Sequence, residues 1–255
     1  HVCGFLYWRI NFMKISFHNS IEEISRESWD ALIGDLNYPF LKHDFLKTLE
    51  ITNCVGTNTG WIPIHITIER DKELIAAMPL YLKSHSQGEF VFDHAWANAF
   101  YQHGLDYYPK LVSSIPHTPA SGPRFLLKDG EEKSVLFEKI KEGVKMISSK
   151  NNISSWHILF PEKDEINFYE NSQLSIRKNA QFIWFNKNYK NFENYLENFR
   201  SRHRKNVLKE RNKIKEQDLI IETLSGEALD YEIMNKFYKF YLSTNIKRSG
   251  FSGYL

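Results

Sequence analysis

The run Lys83-Ser84-His85-Ser86-Gln87-Gly88-Glu89-Phe90-Val91-Phe92-Asp93, followed at once by His94, gathers a lysine, two histidines and two carboxylates within twelve residues. Side chains of these types move protons and pair with charged ligands. The run sits at the end of a candidate core strand, where loops commonly carry sites, although an ordinary polar loop has the same composition. A second segment, Tyr107-Tyr108-Pro109-Lys110 through Ser121-Gly122-Pro123-Arg124, is aromatic and stiffened by proline. It reads as a groove wall or, equally, as a structural loop. A third feature is a basic run, Arg200-Ser-Arg202-His203-Arg204-Lys205, continuing through Lys209, Arg211, Lys213 and Lys215. Between 200 and 216 eight Lys/Arg face two Glu, a net of +6, which leaves −4 for the remainder of a +2 chain. Such a run is either a solvated helix face or a site for phosphates.

The elements that must position these residues follow from periodicity. Residues 27–35 and 42–52 predict two short helices. Trp61 to Arg70 alternates with β-branched residues and predicts a strand, and Leu74 to Lys83 predicts a second. Asp71-Lys72-Glu73 joins them as a hairpin. Residues 85–93 read as a loop entering a short strand, 95–101 as a helix, and 109–123 as mostly extended loop because of its prolines. A helix over 131–150 presents Val135, Leu136, Ile140, Val144 and Ile147 on one face. Strands at 155–160 and 181–185 flank a helix near 162–170. Beyond the polar connector 186–191, helices over 192–199 and 200–216, a strand at 219–223 and a helix over 226–247 complete the pattern. The expected architecture is a mixed α/β sheet, with the hairpin arguing against an all-parallel one.

Composition narrows the function classes. At 255 residues, 42% hydrophobic and 25% charged, the chain has ordinary globular composition and enough length for one large domain or two modest ones. No stretch approaches the roughly eighteen apolar residues that span a bilayer. Cys3 and Cys54 cannot form a disulfide framework, which fits a reducing compartment. Phosphate-loop, dinucleotide, zinc-protease and nucleophile-elbow motifs are absent. His85, His94 and His103 recur at nine-residue intervals on different elements and do not make a ligand set. Residues 1–12 precede Met13 without a basic n-region or cleavage site and are read as a non-native extension. Residues 13–186 are read as a first domain and 187–255 as a second. Without a leader or a span, the expected location is the cytoplasm.

Five ordered blocks carry a family resemblance: Pro39 to Leu46 (PFLKHDFL), Gly60-Trp61-Ile62-Pro63, Pro79 to Ser86 (PLYLKSHS), Gly88 to Asp93 (GEFVFD) and Tyr107-Tyr108-Pro109-Lys110-Leu111. Over 14–255 the chain resembles a bacterial family of N-acyltransferases in the GNAT superfamily. That family is related to the FemAB peptidoglycan aminoacyltransferases and is described by peptidoglycan biosynthesis or recognition. In the second half, Arg202 to Val207 resembles the basic helix of FemAB enzymes, and Phe240-Tyr241 through Thr244 with Lys247 to Phe251 resembles the helix and turn that follow.

The resemblance implies two tandem GNAT-like domains, the second incomplete. It also implies transfer of an acyl or aminoacyl group to an amine from acyl-CoA or aminoacyl-tRNA, without a metal. Such chemistry needs a base for the acceptor ammonium, donors for an oxyanion and contacts for phosphates. The candidates are Glu89, Asp93 and His85 as base, with Lys83, Ser86, Trp96, Tyr108, Lys110 and Arg124 as substrate contacts. Arg202, Arg204 and Lys205 are the candidates for phosphate. The acceptor would be a small-molecule or peptidoglycan-precursor amine, with tRNA as a possible partner. Only one glycine follows Lys83 in the turn where a GNAT donor loop belongs, and the corresponding elements of the second domain would fall after Leu255. The expectation is therefore an inactive fragment of a transferase. A non-catalytic module binding a peptidoglycan precursor or phosphate ligand is the alternative. RNA binding alone is disfavoured, since the basic helix lacks interleaved aromatics for stacking.

Overall fold

The computed structural model describes residues 13–250 and 253, apart from Leu36, Gln181 and Asp218. The expected extension over 1–12 lies outside them. Contacts divide the chain into two units, the first reaching Ile176 and the second running from Arg177 to Gly253.

The first unit is organised by one long hairpin. Its arms fall where the apolar alternation predicts, but each is broken once: β2 (Trp61–Pro63) and β3 (His65–Arg70) on one side, β4 (Glu73–Met78) and β5 (Tyr81–Lys83) on the other. Asp71 and Lys72 both take positive φ (51° and 69°), as a two-residue I′ turn requires. From Ile68 opposite Ala76 to Trp61 opposite Lys83 the pairing keeps one register, interrupted only by a bulge between Ile68 and Glu69 nearer the turn. At Ile64 and Leu80 the arms stay bonded, Ile64 N–H donating to Leu80 O at 2.9 Å, but their outer neighbours change. The inner half joins β1 (Met13–His18) and β7 (Leu126–Leu127) in the order β1-β3-β4-β7. The outer half joins β6 (Lys110–Ser113) and β8 (Trp156–Ile158) in the order β2-β5-β6-β8, with β6 and β8 parallel. The hairpin thus supplies two central strands to one sheet and one central and one edge strand to the other.

Helices cover the first sheet on both faces. α1 (Arg26–Ala31) and α2 (His43–Ile51) bury Trp29 and Leu46 with Ala77 and Leu126. α4 (Lys133–Asn151) lays Leu136, Phe137, Ile140 and Val144 against Ile66, Ile68 and Met78 on the other face. Each such buried apolar side chain contributes roughly 1.5–3 kcal/mol. Val135 does not share that face; it is exposed, because the stripe is completed by Phe137. α3 (His94–Gln102) and α5 (Ile166–Asn171) match the expected helices.

Four expectations are corrected. Residues 109–123 contain strand β6 near the centre of the second sheet, because Pro109 precedes the first paired residue and the remaining prolines lie beyond the last. The loop 85–93 enters no strand. Residues 182–185 and 219–223 are apolar enough for strands but carry no ladder, since an extended segment needs a neighbour to accept its backbone bonds.

The second unit is helical among the described residues: α6 (Phe192–Leu196), α7 (Ser201–Lys215) and α8 (Tyr231–Ser249). Asn191 and Asp230 cap α6 and α8, accepting from the Asn194 and Ile233 amides at 2.8 Å. Neither α7 nor α8 buries a residue. No described helix is long and apolar enough to cross a membrane.

Candidate functional site

Register brings the chemistry together. Trp61 lies opposite Lys83, and Lys83 opposite Lys110, so one row crosses β2, β5 and β6 on a single face of the second sheet. Both lysines are fully buried. The loop between β5 and α3 folds back over them and inserts Glu89 and Asp93, each 2% exposed. Gly88 takes φ 77°, and a Cβ there would stand 2.6 Å from His117 Nδ1, so the loop can come this close only with glycine.

Lys110 is saturated. Its Nζ donates to Ser86 Oγ at 2.8 Å, Glu89 Oε2 at 2.8 Å and Asp93 Oδ2 at 2.5 Å, and lies 5.2 Å from the Tyr107 ring. Asp93 Oδ2 also accepts from Tyr107 OH at 2.7 Å and Ser86 Oγ at 2.9 Å. Ser86's only proton is spent on Asp93, so in the 2.8 Å bond between Tyr108 and Ser86 the Tyr108 hydroxyl donates. Asp93 occupies the N-cap of α3 yet makes no capping bond, its carboxylate being turned into the cluster.

The two carboxylates differ in state. Burial pushes the Glu89 carboxyl above the ordinary glutamate value, against the pull of Lys110 and Lys83. Burial would also raise Asp93, but the bonds from Lys110, Tyr107 and Ser86 outweigh it and hold Asp93 below the usual value. One oxygen of each, Glu89 Oε1 and Asp93 Oδ1, is buried and accepts no hydrogen bond among the described residues. Buried acceptors are normally satisfied, so two together mark a place where donors are missing.

Of the candidate residues, Lys83, Ser86, Glu89, Asp93, Tyr108 and Lys110 meet in this cluster. His85 is half-buried and turned toward the Gly60 turn, where a glycine Cβ would stand 2.3 Å from its Nε2; burial and the charge on Lys83 lower its pKa. Trp96 is on α3, 46% exposed, 6.2 Å from the His157 ring. Arg124 is consumed internally, donating to the carbonyls of Ala120, Gly122, Pro123 and Leu159, and therefore staples its own loop rather than facing a ligand. Arg202, Arg204 and Lys205 lie in the first turns of α7 in the second unit, with Arg202 and Lys205 exposed. Trp61 and Tyr107 were not foreseen as members. Only the strand register and the hydroxyl bond to Asp93 reveal them. Among the described residues no group of three His, Cys, Asp or Glu could hold a metal ion.

Comparison with known proteins gives one match that spans the chain. A family model described as peptidoglycan biosynthesis/recognition matches residues 20–255. No curated protein matches the sequence. Among solved structures, the chain is similar to aminoglycoside N-acetyltransferase AAC(6')-Iy in complex with CoA (11% identity, TM-score 0.43, covering 72% of this chain and 99% of that one). It is also similar to a ribosomal-protein-alanine N-acetyltransferase from Brucella melitensis biovar Abortus 2308 (8%, 0.41, 68% and 100%). A third is aminoglycoside 6'-N-acetyltransferase AAC(6')-Ih from Acinetobacter baumannii (11%, 0.39, 69% and 99%).

Proposed function

This chain belongs to the FemAB-like family of peptidoglycan biosynthesis/recognition proteins, and from that membership we propose that it serves acyl or aminoacyl transfer to a primary amine. The donor is acyl-CoA or aminoacyl-tRNA, and the acceptor is a small molecule or a peptidoglycan precursor. The observation that carries this reading is the pair of buried acceptors without a donor, Glu89 Oε1 and Asp93 Oδ1, on the two carboxylates that share Lys110. An ammonium brings the hydrogen-bond donors these oxygens lack.

In the mechanism this supports, Asp93 stays ionised and orients the acceptor nitrogen. Glu89, made more basic by burial, takes one proton from the ammonium. The freed lone pair attacks the donor's carbonyl carbon, forming the C–N bond and a tetrahedral oxyanion. Collapse breaks the thioester or ester bond and releases the CoA thiol or the ribose hydroxyl, which leaves with a proton from the nitrogen. Arg202, Arg204 and Lys205 keep, as a separate part of the proposal, the role of contacts for the donor's phosphates. Both donors are made in the cytoplasm, the expected location.

The test is transfer of label from acetyl-CoA or alanyl-tRNA to an amine-bearing peptidoglycan precursor by the full chain. Glu89→Gln should slow it by about 10²–10⁴-fold while the precursor still binds. Precursor binding without transfer from either donor would instead establish the non-catalytic binding module.

A further inference from the structure

Lys83 and Lys110 are neighbours with opposite circumstances. Lys110 has all three donors filled, two of them by carboxylates. Lys83, equally buried, donates to Gln87 O at 3.1 Å and rests 3.7 Å from the centre of the Trp61 ring. No carboxylate of the described residues comes within the 4.0 Å of an ion pair. The charged groups that act on it are Glu89 and Lys110, and its own charge in turn lowers the pKa of His85 and His117. Burial pulls its amine down to about 7, with Glu89 raising it and Lys110 lowering it.

A buried cation with unused donors and no counter-ion either gives up its proton or receives an anion from outside. The same cluster holds two carboxylate oxygens waiting for donors. Both deficits lie under one loop, with Ser86 and Tyr108 half-buried at its rim.

We infer that Lys83 is the anion subsite of a pocket for a zwitterion, so that the ligand is a free α-amino-acid headgroup. Its carboxylate pairs with Lys83 beside Trp61, and its ammonium meets Glu89 Oε1 and Asp93 Oδ1. The inference rests on the amine reading above and adds to it the substrate class. A carboxylate at Lys83 stabilises the charged amine, so binding above neutral pH takes up a proton.

The experiment uses the full chain and three probes: alanine, which has both charges; alaninamide, which lacks the carboxylate; and N-acetylalanine, which lacks the ammonium. Binding is followed by calorimetry in buffers of different ionisation enthalpy and by ¹⁵N NMR of the lysine side chains. Alanine should bind at least about tenfold more tightly than either analogue, a difference of about 1.4 kcal/mol, with proton uptake and an upward move of the Lys83 titration. Lys83→Met should erase the preference for alanine over alaninamide. Lys83→Gln, less apolar, serves if the methionine variant fails to melt cooperatively. Equal affinity for alanine and alaninamide, a preference that survives in both variants, or no binding of any probe overturns the subsite. Should N-acetylalanine match alanine while alaninamide fails, the anion subsite stands and the amine reading falls.

Discussion

Glu50 on α2 and His65 on β3 clasp the point at which the two sheets part. His65 Nε2 donates to Glu50 Oε1 at 3.3 Å, while its Nδ1 accepts the Leu80 amide at 3.3 Å, which fixes the tautomer. The same carboxylate accepts from Ser20 Oγ at 2.6 Å and from the Ile21 amide. Burial alone would raise Glu50, but these bonds win and keep it below the ordinary value of 4.5.

Glu50→Gln should therefore cost about 1–3 kcal/mol, since an amide nitrogen cannot accept what one carboxylate oxygen does. A depressed carboxylate contributes stability that is present above the unfolded value and fades as pH falls through the folded one. The gap in unfolding free energy between wild type and variant, measured by denaturant titration, should be constant above about pH 5.5 and close on acidification below about 4.5.

Lys110→Met should be among the most damaging single changes, at about 3–5 kcal/mol, because Glu89 and Asp93 would be left buried together without a cation. Adding Glu89→Gln and Asp93→Asn should recover much of that loss. A triple variant no more stable than Lys110→Met would show that lost packing, not unpaired charge, sets the cost; urea unfolding provides the measurement.

Gly143 lies in the middle of α4, where alanine ordinarily gains about 1 kcal/mol. Here a Cβ would stand 2.8 Å from Ile66 Cδ1 and 3.2 Å from Ile15 Cγ2. Overpacking of this kind costs about 1–3 kcal/mol, so Gly143→Ala should lower the melting temperature, and Gly143→Ala with Ile66→Val should restore part of it.

Arg124 holds four carbonyls with one planar group, and burial pulls its pKa down to about 10. Lysine offers a single point charge and cannot reproduce that fork. Arg124→Lys should lose roughly 2–3 kcal/mol, within the range for buried bonds left unmade, and expose the loop 114–123 to limited proteolysis at a rate close to that of Arg124→Ala.

Much of the first unit was legible because its periods are local. The alternation over 61–70 and 74–83 marks the hairpin, and the spacing of Leu136, Ile140 and Val144 marks α4. Strand β6 was hidden by prolines that flank it without entering the ladder. Residues 182–185 and 219–223 misled in the opposite direction: β-forming side chains describe a surface that fits a sheet, not a sheet that exists. In the site, Lys83, Glu89 and Asp93 stood out because they crowd into one short run. That Lys110 belongs with them, and that Trp61 lies beside Lys83, depends on which residue faces which across strands, and spacing along the chain does not encode that. The spent guanidinium of Arg124 was likewise invisible, since its partners are backbone atoms.

Beyond its one bulge, the hairpin carries a single register from Ile68 opposite Ala76 out to Trp61 opposite Lys83. The second sheet has no reading frame of its own for β2 and β5; it inherits one from the turn at Asp71-Lys72, through a single bulge. Strand side chains alternate with a period of two, so a slip of one residue at that solvent-exposed turn would carry one of Trp61 and Lys83 to the opposite face and part the pair. Two residues that touch nothing in the cluster thus decide whether it is assembled at all.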